Sequence, residues 1–160
     1  MAGRRRAQIL GTGLIGGSIG LALRAQGWQV TGRDRDEAMV KRAAELGAID
    51  AVGDDPDADI TFVATPVGAV HALVEEALTR TAGLVTDVGS VKTPMLPLMD
   101  DPRYVGGHPM AGSEAEGVDG ARADLFEGAT WVLTPTAGTS DEAFTNVRSV
   151  VSSFGAEVIA

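Results

Sequence analysis

Gly11, Gly13 and Gly16 stand at G-x-G-x-x-G spacing in Ile9-Leu10-Gly11-Thr12-Gly13-Leu14-Ile15-Gly16. An apolar run from Ala7 to Leu10 leads into them, and an apolar-periodic stretch leaves from Leu14. A strand, a turn and a helix in that order give each glycine its own task. Gly11 makes the tight turn, Gly13 lets a pyrophosphate approach the backbone, and Gly16 lets the helix lie close to the strand. The helix then presents free N–H groups and its positive end to the phosphates. About 20 residues further on, Val30-Thr31-Gly32-Arg33-Asp34 reads as a second strand ending in an acid, placed to accept the ribose hydroxyls of NAD. Arg33 and Arg35 could instead receive a 2′-phosphate, but Asp34 would repel it, so NAD is preferred over NADP. Cofactor contacts are expected from Gly11, Thr12, Gly13, Leu14, Ile15, Gly16, Asp34 and Arg35, and from Thr65 and Pro66 at a later strand end.

The chain has two histidines. His71, in Val70-His71-Ala72-Leu73, falls mid-helix and reads as an ordinary surface or half-buried residue. His108 lies between Gly107 and Pro109, in what reads as a loop beyond a strand end, beside the nicotinamide position. A neutral imidazole there can take a proton from a substrate hydroxyl as hydride leaves the same carbon. Ser90 can orient that imidazole, or equally cap the turn that follows it. Glu114 and Glu116 read as solvated loop acids. Two distant histidines and no cysteine give no metal-ligand spacing. Gly16-Gly17-Ser18-Ile19-Gly20 matches the G-x-S-x-G nucleophile elbow, but that motif needs a strand running straight into the serine. Ser18 sits a turn inside the first helix, which sets a hydrolase aside.

The elements that must hold these residues alternate. Helices are expected at about 14–26, 37–46, 67–80 and 141–154, with Asp36 and either Ser140 or Asp141 as caps. Strands are expected at 7–10, 28–32, 49–52, 60–64, 84–87, 130–133 and 156–159, and Tyr104-Val105 leads into the loop from Gly106 to Glu114. Alternation at this spacing implies an α/β fold with a doubly wound, mostly parallel sheet, a Rossmann-type NAD-binding domain. Its ligand crevice lies beyond the carboxyl ends of the strands. There Gly11, Asp34, Thr65-Pro66, Asp87 to Ser90 and Gly107-His108 are expected to meet.

A length of 160 residues suits one domain, here 1–160, with a proper core. A net charge of −9, from 13 basic and 22 acidic residues, argues against nucleic-acid binding, which needs a basic face. Absence of cysteine excludes disulfides and thiolate nucleophiles. Arg4-Arg5-Arg6 followed by Ile9 to Leu23 has the outline of a secretion signal, but its glycines and its length argue against a leader or a membrane span. A cytoplasmic protein without membrane contact is expected.

Together these residues resemble the prephenate/arogenate dehydrogenase family of tyrosine biosynthesis. The resemblance is carried by residues 11–18, by Ala58-Asp59-Ile60 with Ala64-Thr65-Pro66-Val67, and by Thr86-Asp87-Val88-Gly89-Ser90-Val91-Lys92. It continues through Gly107-His108-Pro109-Met110-Ala111-Gly112-Ser113-Glu114 and Leu125-Phe126-Glu127-Gly128, which leads into Trp131-Val132-Leu133-Thr134-Pro135. The resemblance implies oxidative decarboxylation of prephenate, or the corresponding reaction of arogenate, with NAD as hydride acceptor. By that likeness His108 takes the proton of the ring hydroxyl, Ser90 positions His108 and itself contacts the cofactor near the nicotinamide, and Ser113 and Glu114 border the substrate pocket. It also implies a second, helical domain that supplies the dimer interface and the basic residues for the substrate carboxylates. A single domain without that helical half is expected, with a helical-domain partner or a homo-oligomer to complete it. Arg103 and Arg122 are this chain's own candidates for the carboxylates.

Overall fold

The computed structural model describes residues 3–89, 100–111 and 117–160. In chain order the elements are β1 (Arg6–Leu10), α1 (Leu14–Ala25), β2 (Gln29–Arg33), α2 (Glu37–Glu45), β3 (Ala51–Val52), β4 (Ile60–Val63), α3 (Val67–Arg80) and β5 (Leu84–Asp87). There follow β6 (Tyr104–Met110), a 3-10 turn (Val118–Gly120), β7 (Thr130–Thr134), α4 (Asp141–Ser152) and β8 (Glu157–Ile159). The strands form one sheet in the order β3-β2-β1-β4-β5-β6-β7-β8. Every pairing is parallel except that of β6 with β7. This is the doubly wound, mostly parallel sheet expected from the alternation of elements. Its order reverses between β1 and β4, where such sheets open a crevice.

Helices cover both faces. Ile19 and Leu23 of α1, Val40 and Ala43 of α2, and Val147 and Val151 of α4 share one core with Ala7, Ile9, Val30 and Phe62. Val70, Val74 and Ala77 of α3 meet Leu10, Val63, Val85 and Tyr104 on the other face. The central strand β1 therefore has to be apolar on both sides. Its one polar core position, Gln8, is satisfied: its side chain donates to Thr61 Oγ1 at 3.2 Å and accepts from the Asp55 N–H at 2.7 Å. The stretch with the look of a secretion signal is strand, turn and helix of this core.

The most instructive difference from the sequence expectation is β6. The glycine-rich, polar composition of residues 106–110 reads as loop, yet the strand runs on to Met110. Gly106 to Met110 pair antiparallel with Thr134 to Thr130. Pro109 is tolerated because β6 is matched to β5 only at Tyr104 and Val105, so no N–H is needed on that side further along. His108 thus sits within a strand, opposite Val132. Smaller shifts occur at element ends: β2 stops at Arg33, leaving Asp34 just beyond it, and β3 shrinks to two residues.

Candidate cofactor and active site

The turn between β1 and α1 is set by close packing. Gly11 has φ +97°, and a Cβ there would lie 2.6 Å from the Ala64 carbonyl oxygen. Its N–H donates to the Arg33 carbonyl at 2.8 Å, and the Ala64 N–H donates to the Leu10 carbonyl at 2.7 Å. The glycine turn is thereby tied to the ends of both flanking strands. A Cβ on Gly16 would stand 1.8 Å from the Gly11 carbonyl oxygen, and one on Gly20 would stand 2.2 Å from that of Ala48. Glycine costs a helix roughly 1 kcal/mol per residue against alanine, and here it permits the approach of α1 to the sheet. Around Gly13 there is space, the nearest atom being Met39 Sδ at 3.9 Å.

Helix capping divides the helices into two kinds. Asp36 caps α2 by accepting from Ala38 and Met39, and Ser140 caps α4 by accepting from Ala143. The N-cap positions of α1 and α3 are Gly13 and Pro66, which provide no side-chain cap. Orphan N–H groups and two positive helix ends therefore converge on one place, as an anion site requires. Asp34 completes it. Its Oδ2 accepts the Thr12 N–H at 2.8 Å, and its Oδ1 accepts the Asp36 N–H at 2.9 Å. A carboxylate has about four acceptor sites, so the group is fixed in place with capacity left for a ribose hydroxyl.

A cleft of about 930 Å³ lies here, lined by Gly11, Gly13, Leu14, Asp34, Arg35, Thr65 and Pro66 among others. Thr12 and Gly16 are buried beneath it, Thr12 donating to Asp34 and Gly16 setting the helix approach; Ile15 is partly buried against the core. Met39, Gly68, Ala72 and Leu73 add an apolar wall that the motif alone did not indicate. The cues for them were the apolar positions of the helical stretches. Arg33, at the edge of the cleft, is bound elsewhere: its Nε lies 3.1 Å from Asp54 and its Nη2 2.9 Å from Glu76. A second cavity, of about 730 Å³, opens at the amino-terminal edge of the sheet, away from this chemistry, beside Trp28, Gly83 and Arg103.

His108 lies on the same strand-end side as the glycine turn but three strands away, and it is not part of the cleft wall. It is half-buried, and its Nδ1 is enclosed without a hydrogen-bond partner among the described residues. Ser90, Ser113 and Glu114 lie outside the described residues. Asp87, ending β5, is fully buried; it accepts from Tyr104 Oη at 2.6 Å and from the Gly89 N–H at 2.9 Å. Neither Arg103 nor Arg122 is poised for a substrate carboxylate. Arg103 sits at the far edge, donating to the carbonyls of Thr81, Gly83 and Leu78. Arg122 is an exposed side chain 3.6 Å from Asp124. His71 is a partly exposed helix residue 4.0 Å from Glu75, and Ser18 is buried inside α1, accepting from the Arg122 N–H. Among the described residues no cluster of side chains could hold a metal, and no helix is long and apolar enough to cross a membrane.

Burial raises the Tyr104 phenol well above its ordinary value of 10.0, and the Asp87 carboxylate adds to the rise. The folded chain thus keeps a proton that the unfolded chain releases once the pH passes about 10, so stability falls as pH rises beyond that point. Tyr104 is the single tyrosine of the chain, which makes the effect readable. Tyrosinate absorbance is expected to stay absent through about pH 11 and to appear together with unfolding. Smooth ionisation near pH 10 in the folded chain would contradict the buried pair.

A glycine turn at the switch point, two uncapped helix ends and an acid after β2 define a dinucleotide-binding domain of the dehydrogenase type. The chain belongs to the prephenate dehydrogenase family: the family model for its nucleotide-binding domain matches residues 19–160. A probable prephenate dehydrogenase of Streptomyces niveus is 36% identical over 158 residues, covering 95% of this chain and 44% of the relative. The prephenate dehydrogenase of Aquifex aeolicus, solved with hydroxyphenyl propionate and NAD+, superposes with a TM-score of 0.90 at 29% identity, over 99% of this chain and 60% of that one. Arogenate dehydrogenase of Synechocystis gives a TM-score of 0.87 at 35% identity, over 96% of this chain and 58% of that one. The chain spans about half the length of the curated relatives it matches.

Proposed function

We propose that this chain is the nucleotide half of an NAD-dependent dehydrogenase that oxidatively decarboxylates prephenate to 4-hydroxyphenylpyruvate. The observation that carries the reading is the convergence of two uncapped helix N-termini and the fixed Asp34 carboxylate on one cleft. The cofactor is NAD, which supplies the hydride acceptor. Gly11, Gly13, Leu14, Thr65 and Pro66 border its phosphates and nicotinamide ribose, Asp34 holds the adenosine ribose, and Arg35 lies over the same end. As hydride leaves the ring carbon and carbon dioxide departs, His108 takes the proton of the ring hydroxyl. Its enclosed Nδ1, without a partner among the described residues, suits the orienting hydrogen bond we assign to Ser90. Ser113 and Glu114 border the substrate.

Residues 1–160 act in this reading as one dinucleotide-binding domain in the cytoplasm, completed by a helical half or by a second copy that brings the cations for the substrate carboxylates. Arg103, held by backbone carbonyls, leaves that need open. A second reading, with arogenate as substrate, is favoured by the Synechocystis likeness. The deciding experiment is calorimetric titration of the chain with NAD, followed by NADH formation from prephenate and from arogenate. NAD binding with turnover of one substrate is expected; failure to bind NAD would overturn the reading.

A further inference from the structure

Two arginines flank the acid that faces the ribose, and their situations differ. Arg35 is exposed on the cleft wall and has no ion pair among the described residues. Arg33 reaches the same wall, but its guanidinium is held between Asp54, before β4, and Glu76 of α3, at 3.1 and 2.9 Å. Arg80 closes the group, 3.1 Å from Glu76 and 3.5 Å from Asp54. Two cations face two anions, so the group is neutral, and its three elements fix the direction of the Arg33 fork. A guanidinium is the group best suited to grip a phosphate by paired hydrogen bonds. To turn toward the cleft, Arg33 would have to leave two carboxylates with Arg80 alone.

We propose that Asp54 and Glu76 are specificity-determining residues for the dinucleotide. By restraining Arg33 they withhold one of the two cations that could meet a 2′-phosphate, leaving Arg35 as the other. Rejection of NADP then has two parts, repulsion by Asp34 and restraint of Arg33, and removing Asp34 alone leaves a 2′-phosphate with Arg35 only. The inference rests on the NAD reading above. It deepens that reading by adding two residues outside the glycine motif.

The test is equilibrium titration with NAD and with NADP, followed by tryptophan fluorescence, on four chains. These are the wild type, Asp34→Ser, Asp34→Ser/Asp54→Asn/Glu76→Gln, and the same triple variant with Arg33→Ala. Asp34→Ser is expected to weaken NAD about tenfold, as a lost charge-assisted hydrogen bond does, with little gain for NADP. The triple variant is expected to bind NADP at least about tenfold more tightly than Asp34→Ser does, and Arg33→Ala is expected to erase the gain. Full NADP binding by Asp34→Ser alone, no gain in the triple variant, or a gain that survives Arg33→Ala each overturn the proposal. If thermal melting shows the triple variant unfolded, Asp34→Ser/Glu76→Gln decides: a smaller gain supports the proposal and none overturns it. A wild-type chain that binds neither nucleotide overturns the parent reading as well; one that binds NAD while no variant gains NADP overturns this proposal alone.

Discussion

Replacing His108 by asparagine is expected to lower NADH formation by about 10² to 10⁴-fold, the usual contribution of a positioned general base, while leaving NAD affinity unchanged. The two parts of this expectation have separate grounds. Asparagine keeps a polar side chain of similar reach but cannot take up the hydroxyl proton. The imidazole is no part of the cleft wall, so the cofactor should not register its loss. The backbone of residue 108 pairs with Val132 whatever its side chain, so the melting temperature is also expected to hold. Initial rates with prephenate, by the chain alone or with a relative's helical half supplied in trans, together with NAD titration of the same preparations, make the measurement. A variant that turns over as fast as the parent would place the base elsewhere.

The second large effect separates two glycines of one motif. Alanine at residue 16 would put a methyl carbon 1.8 Å from the Gly11 carbonyl oxygen, and the two nearest contacts are backbone. Relief requires α1 to move off β1, which also shifts the turn. A loss of about 3 kcal/mol or more in stability is expected, at the upper end for forced overpacking, with NAD binding falling in parallel. Alanine at residue 13 meets nothing nearer than Met39 Sδ at 3.9 Å, and Gly13 does not lie in the left-handed region. Its fold should be unperturbed. Its methyl group would occupy the approach of the pyrophosphate and weaken NAD about 10 to 100-fold, the equivalent of about 1–3 kcal/mol. Chemical denaturation and calorimetry on both variants check this; equal stability losses would mean that the turn does not divide its tasks as described.

Much of the architecture was legible because it is written locally. The glycine turn, the Asp36 cap, the Ile60 to Val63 run and the four helices depend on neighbours within a few residues. The extension of β6 to Met110 was not legible, since Gly106-Gly107-His108-Pro109 has no strand signature. It becomes strand only by pairing with residues 130–134. For the site, Asp34 could be placed from its distance to the glycines. The restraint on Arg33 could not, because Asp54, Glu76 and Arg80 lie 21, 43 and 47 residues away and meet it only after β4 and α3 pack. The same limit applied to Arg103. Its charge suggested a partner for a dianion, whereas the fold directs its donors to three backbone carbonyls at the other edge of the sheet. Leu125-Phe126, part of the family resemblance, serves the core: Phe126 is fully buried against Trp131 and Phe154, with ring centres 4.9 and 5.9 Å away.

That aromatic cluster has an optical consequence. Trp131 lies in its midst with no exposure to solvent, and its indole nitrogen would be only 3.0 Å from a Cβ on Gly107, the residue before His108. The other tryptophan, Trp28, sits at the opposite edge of the sheet beneath the Arg5 guanidinium, 4.2 Å from its ring. The chain therefore carries two tryptophans: one packs against the strand that bears the histidine, and the other lies just before β2. Emission and energy transfer to bound NADH can follow events at His108 without any label, with Trp28 as the internal reference.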